Sequence, residues 1–338
     1  MRNGNNKVYD LIEQALIKEQ LASLPTLDKV KRAVNQARRH KTTGLDGTPV
    51  EALKERAYVL SEFLDSYKQF SASKSGKPVF SYGYESYNGP HMWKHEFPEC
   101  AGENQSPVNI VTRQVVAVNS DSCLVWSGYS CQPLSMRMSN ECGTAVIRGE
   151  WPSNLQPHIT GGPLEFSYEF HSMSFHWGPS DHDGSEHTID YLSYPLELQM
   201  LHCKRGFRHP MDVVMVGAKD GIVILAFLFE ITAVDNPYLD HIVNNLWRVA
   251  SPSSCVPIPP FPLDWLYAPF KHCYYTYNGS LTQPPCSEVV TWIIQSDPIA
   301  ISSQQVAQFR RLHSKDGPIF YNSRPVQHMN CRHVYYYE

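Results

Sequence analysis

Ser174 and His176 stand two apart in "FHSMSFHWG" (residues 170–178), a spacing that projects both side chains from one face of a strand. Two histidines so spaced could grip one zinc ion through neutral imidazole nitrogens. This stretch offers one imidazole and one hydroxyl. A serine hydroxyl would have to ionise to become a good ligand, so the pair alone does not make a zinc centre. Its neighbour His171 is an odd number of residues from His176, and on a regular strand it faces the opposite side.

The stretch needs neighbouring strands, and the sequence supplies candidates. "AVIRGEW" (145–151), "LEFSYEFHSMSFHWG" (164–178), "LELQMLH" (196–202), "DVVMVGA" (212–218), "GIVILAFLFEI" (221–231), "CSEVVTWIIQ" (286–295) and "PIAI" (298–301) are short runs rich in β-branched and aromatic residues. "NPYLDHIVNNLWRV" (236–249) and "SSQQVAQFRRLH" (302–313) read as short helices, the second with Ser302 or Ser303 as N-cap. Many strands with few crossover helices predict a mostly antiparallel sheet. Residues 1–71 have a different texture, with apolar residues at helical spacing in "VYDLIEQALIKEQL". "SASKSGKP" (71–78) is a small, polar linker. The expected organisation is a helical appendage over 1–71, a linker over 72–79 and a β-rich domain over 80–334.

Bulk properties narrow the function classes. The chain has 338 residues, is 42% hydrophobic and carries a formal net charge of −4. No basic face argues for nucleic acid, and the one basic run, at 29–41, reads as a solvated helix face. No apolar run is long enough to span a membrane as a helix. The amino terminus shows no apolar core of a secretory leader. Nine cysteines nonetheless lean towards an oxidising compartment.

"YGYESYNGPHMW" (82–93), "QSPVNI" (105–110), "FHWG" (175–178), "GSEHTID" (184–190), "ELQMLH" (197–202), "YNGSLTQPPC" (277–286), "TWII" (291–294) and "NSRPVQ" (322–327) follow one another along the β-rich part. In this order they resemble the α-class carbonic anhydrases. The resemblance implies an α+β fold: a single domain around a large, twisted, mainly antiparallel β-sheet. In active members of that family three histidines on two adjacent strands hold zinc, which lowers the pKa of a bound water so that hydroxide attacks carbon dioxide.

The matching metal positions here are Ser174, His176 and Gln199. Glutamine offers a neutral oxygen better suited to hard cations. His202, an odd number of residues from Gln199, should face away and reads as a satisfied core histidine. By the same resemblance Glu186 and Thr282 match the pair that orients the hydroxide. His187 and Tyr277 match buried supporting positions, and Glu197 matches the carboxylate that polarises the third histidine. Cys142 falls at the proton-shuttle position. Leu201 and Ile224 replace smaller pocket valines, and Gln283 replaces a threonine. Without a cation, Glu197 is expected to have a raised pKa.

These departures point to the acatalytic carbonic anhydrase-related proteins. Gln199, "GGP" (161–163) and "NPYL" (236–239) resemble the X and XI kind. The function expected is a binding scaffold for a protein partner, with no zinc, no nucleic acid and no membrane span. The alternative is an altered lyase or esterase using another metal on His176, Glu186 and Glu197. The resemblance also implies a disulfide between Cys100 and Cys286, and with it a secretory location; the leaderless amino terminus argues for the cytoplasm instead. Two N-glycosylation sequons, at Asn104 and Asn278, are expected to stay unmodified: Asn104 opens a packed motif and Asn278 adjoins Tyr277. "LDKVKRAVNQARRHKTTGLDGTPVEALK" (27–54) resembles the opening of non-LTR retrotransposon reverse transcriptases, with no Tyr-x-Asp-Asp following.

Overall fold

The computed structural model of the chain describes residues 81–120 and 122–338. The helical appendage, the linker and the retroelement-like segment lie outside the described residues. Seven strands build the frame: β1 (Ser135–Glu141), β2 (Thr144–Glu150), β3 (Leu164–Trp177), β4 (Leu196–Lys204), β5 (Ile222–Thr232), β6 (Tyr274–Gly279) and β7 (Val290–Gln295). They run through a thirteen-stranded sheet in the order Cys255–Ile258, β1, β2, β3, β4, β5, β7, β6, Tyr335–Tyr337, Val116–Val118. Neighbours are antiparallel from Cys255–Ile258 to β5, and β6 is antiparallel to both its partners. β5 lies parallel to β7 and to Ile299–Ser302, and Tyr335–Tyr337 parallel to Val116–Val118. The sheet is therefore mixed, with antiparallel pairs dominant, and it takes in Tyr335–Tyr337 beyond the expected edge at 334.

β5 shows why its sequence is one unbroken apolar run. Val223, Leu225, Phe227 and Phe229 pack into one hydrophobic cluster, which also holds Phe175 and Trp177. Ile222, Ile224, Ala226 and Leu228 pack into a second, with Trp292 and Tyr277. Successive side chains point to opposite faces, so a strand covered on both sides needs apolar residues at every position.

One strand expectation fails. "DVVMV" is the body of helix α1 (Pro210–Val216), not a strand. Pro210 occupies the first turn, the His209 ring nitrogen caps the Met211 N–H, and Gly217 closes the helix at φ 68°, where a side chain would be strained. This end punctuation outweighs the β-branched composition of the run. "NPYLDHIVNNLWRV" forms a chain of short helical turns, Pro237–Leu239, Asp240–Val243 and Leu246–Val249. "SSQQVAQF" forms the helix Ser303–Phe309 with Ser302 as N-cap, in a capping box with Gln305.

Candidate functional site

The site lies where β3, β4 and β5 run side by side. Residues directly opposite on an antiparallel ladder share a face. Ser174 faces Gln199, which faces Ala226; His176 faces Glu197; Leu201 faces Ile224. Ser174, His176 and Gln199 thus converge on one side of the sheet. The ladder slips between Phe170 and Ser172, so His171 and Ser172 together answer Leu201. That bulge overturns the simple parity expected for His171: its Nδ1 lies 3.0 Å from the hydroxyl of its own neighbour Ser172, a contact that a regular strand would not allow. Burial first, then the charges of His209, Arg148 and His202, push the pKa of His171 down to about 3. His202 behaves as expected, fully buried with Nδ1 donating to the Met200 carbonyl at 2.9 Å and Nε2 meeting the Tyr129 hydroxyl.

His176 is held rigidly. Its Nδ1–H donates to the Asn322 carbonyl at 2.8 Å, and its Nε2 makes no hydrogen bond to any described residue. Asn322 braces the same strand, accepting the Trp177 N–H at 2.7 Å and donating to the carbonyls of Phe175 and Gly143 at 3.0 Å.

Gln199 is turned by two carboxylates. Its Nε2 donates to Glu186 Oε2 at 2.7 Å and to Glu197 Oε1 at 2.9 Å. An amide oxygen would repel both acceptors, so the orientation of the amide is set by its partners. The other oxygen of Glu186 accepts the Arg324 N–H at 2.9 Å. No hydrogen bond joins Glu186 to Thr282 among the described residues; the Glu186 carboxylate instead accepts the Gln199 amide.

Glu197 corrects an expectation. Its Oε2 accepts the N–H groups of Glu186 (2.9 Å) and His187 (2.8 Å), and its Oε1 accepts from His187 Nδ1 and Gln199 Nε2, both at 2.9 Å. Burial alone would raise its pKa, but the charge and hydrogen bonds of His187, with the charge of His176, outweigh it and hold the carboxyl down at about 2. The expected upward shift does not occur because local N–H donors do the work assigned to a metal. Beyond His187, Nε2 lies 2.7 Å from the Tyr277 hydroxyl, which donates to Ser106 Oγ at 2.9 Å.

The remaining sequence-marked residues line the surroundings. Ile224 is buried and Leu201 half-buried. Gln283 donates to the Tyr84 hydroxyl at 3.1 Å. Cys142 occupies the left-handed turn between β1 and β2, with its thiol in hydrogen-bonding reach of Tyr82. Cys100 and Cys286 form the expected disulfide, with Cα atoms 4.9 Å apart. Asn322 and Arg324 belong to the "NSRPVQ" motif, whose letters alone assign them no role. Arg324 is a buried cation donating to Gln105, Ser106 and the Cys100 carbonyl. A buried arginine is dear unless fully bonded, and no periodic pattern marks one.

A zinc ion here would need three nitrogen, thiolate or carboxylate donors. The residues present do not fit it: one bare imidazole nitrogen, one neutral hydroxyl and one amide whose nitrogen is committed to carboxylates. Among the described residues no group of three His, Cys, Asp or Glu is placed to hold a metal ion.

The geometry is thus a polar centre borne on adjacent strands in the middle of one large sheet, with a carboxylate–imidazole–phenol chain of Glu197, His187 and Tyr277 beside it. Residues 88–338 match the family of eukaryotic-type carbonic anhydrases. Over 258 residues the chain is 35% identical to carbonic anhydrase 1 of Mus musculus, covering 75% of this chain and 97% of that protein. It is 34% identical to carbonic anhydrase 7 of Homo sapiens, covering 75% and 96%. The chain belongs to the carbonic anhydrase family.

Proposed function

We propose that this chain is a non-catalytic member of the family, of the related-protein X and XI kind, acting as a scaffold for a protein partner rather than hydrating carbon dioxide. The observation that carries the reading is the Gln199 amide bonded to both Glu186 and Glu197. At that position a catalytic relative presents an imidazole to zinc; here the amide nitrogen donates a hydrogen bond to each of two carboxylates. Without a doubly charged ion nothing brings a bound water's pKa near neutrality. The bulk of Leu201 and Ile224 acts in the same direction by narrowing the substrate wall.

The curated relatives carry the name of the enzyme, so the rival reading is an altered enzyme with another metal on His176, Glu186 and Glu197. Against it, all four oxygens of the two carboxylates already accept N–H donors. The Cys100–Cys286 disulfide supports an oxidising, secretory location. Among the described residues no helix is long and apolar enough to cross a membrane.

The test is metal analysis of the purified full chain together with a carbon dioxide hydration assay. The expected outcome is substoichiometric zinc and no rate above buffer. One zinc per chain with sulfonamide-sensitive turnover would overturn the reading. The double variant Ser174→His, Gln199→His should take up zinc, because His176 already has its bare Nε2 and Glu197 already faces position 199 as an acceptor.

A further inference from the structure

Two sequons occur in the chain, and the structure separates them. In "Asn278-Gly279-Ser280" on β6, Tyr277 is 2% exposed while its neighbour Asn278 is exposed. Strand alternation turns the two side chains to opposite sides, so Asn278 is not crowded by the old site as its sequence position suggested. Its Oδ1 accepts one long hydrogen bond, 3.3 Å, from Thr291 across the ladder. Its Nδ2 makes no hydrogen bond to any described residue.

The other two sequon positions are demanded by the fold. A Cβ on Gly279 would lie 2.1 Å from Ser106 Oγ, so only glycine fits. Ser280 is fully buried, its Oγ accepting the Ser106 N–H at 2.9 Å and donating to the Leu281 carbonyl at 2.8 Å. Packing explains Gly279 and Ser280 but leaves the identity of Asn278 unexplained. Asn104 is the reverse case. Its backbone N–H donates to Glu288 Oε1 at 2.6 Å and its Nδ2 to Glu288 Oε2 at 3.0 Å, so the nitrogen a glycan would use is already committed.

We propose that Asn278 carries an N-linked glycan and Asn104 does not. The proposal rests on the secretory location given above. In the step itself, Asn278 Nδ2 bonds to the anomeric carbon of a lipid-diphosphate-linked oligosaccharide. The anomeric carbon–oxygen bond breaks, the lipid diphosphate leaves with the electron pair, and one amide proton is lost to base. The linked nitrogen keeps one hydrogen, and Oδ1 keeps its bond from Thr291. A bulky polar group then stands on the open side of β6, where it shields the sheet without touching the centre.

The full chain, expressed behind a cleavable secretion leader in a glycosylating eukaryotic cell, gives the test. Secreted protein should show one mobility step removed by peptide N-glycanase, with deamidation at position 278 in the released peptide. Asn278→Gln should lose the step, and Asn104→Gln should keep it. Secreted protein with no step, or a step that survives Asn278→Gln, overturns the proposal. Peptide mapping of Cys100 and Cys286 in the unmodified chain from its own cells tests the location separately: reduced thiols there would sink the secretory reading, whatever the led protein shows at Asn278.

Discussion

Glu197 receives four N–H donors in a fully buried setting, two on each oxygen. Its carboxyl titrates at about 2 in the folded chain, against about 4.3 for a free glutamate. As pH falls, the unfolded chain therefore takes the proton first. The stabilisation is complete above about pH 5 and is lost progressively as pH falls through about 4 towards about 2. A carboxyl carbon titration by NMR should find Glu197 still ionised where ordinary glutamates are half protonated; a midpoint at or above theirs would refute this. Glu197→Gln should destabilise the fold by ~3 kcal/mol, because it brings an amide hydrogen against buried donors and leaves His187 without its anion. Of the centre's chemistry, the residue types were legible in the sequence: Ser174, His176 and Gln199 give the donor set. The donors that charge Glu197 were not, because two of them are backbone N–H groups, and side-chain letters do not report where a main chain points.

Among elements, the long ladder strands were legible because their patterns repeat over many residues. β5 reads as a doubly covered strand from its unbroken apolar run, and β3 from its length. Short segments were not. α1 has seven residues, too few for a helical period to show against a β-branched composition, and only Pro210 and Gly217 mark it. The bulge at His171 is also silent in sequence, since an extra residue in one strand is defined only by its partner. The helix Ser303–Phe309 was legible because its cap is chemical: Ser302 Oγ accepts the Gln305 N–H at 3.1 Å and the Gln305 side chain accepts the Ser302 N–H at 3.3 Å. Ser302→Ala should cost about 1 kcal/mol, read as a lower urea midpoint with unchanged slope; an unchanged midpoint would show the cap to be idle.

At the scale of the whole molecule, the disulfide joins residues 186 apart in sequence. Closing so long a loop restricts the unfolded chain, and in the chain-entropy model contributes roughly 5 kcal/mol. Cys100→Ser or Cys286→Ser should therefore lower stability by about 2–5 kcal/mol in unfolding melts, and an unaltered melt would remove the disulfide from the stability account. Sequence alone placed this link only through family resemblance; nine cysteines permit many pairings. The way the centre is closed has a bearing on how the protein is made. His176 and Glu186 are held by the Asn322 carbonyl and the Arg324 N–H, from a segment synthesised after β3, β4 and β5. A ribosome releases the amino-terminal part first, so the ladder strands emerge while the two groups that close the centre are still to come. A message stopped early, near codon 320, would encode Ser174, His176 and Gln199 with their neighbours and still leave the centre unlatched.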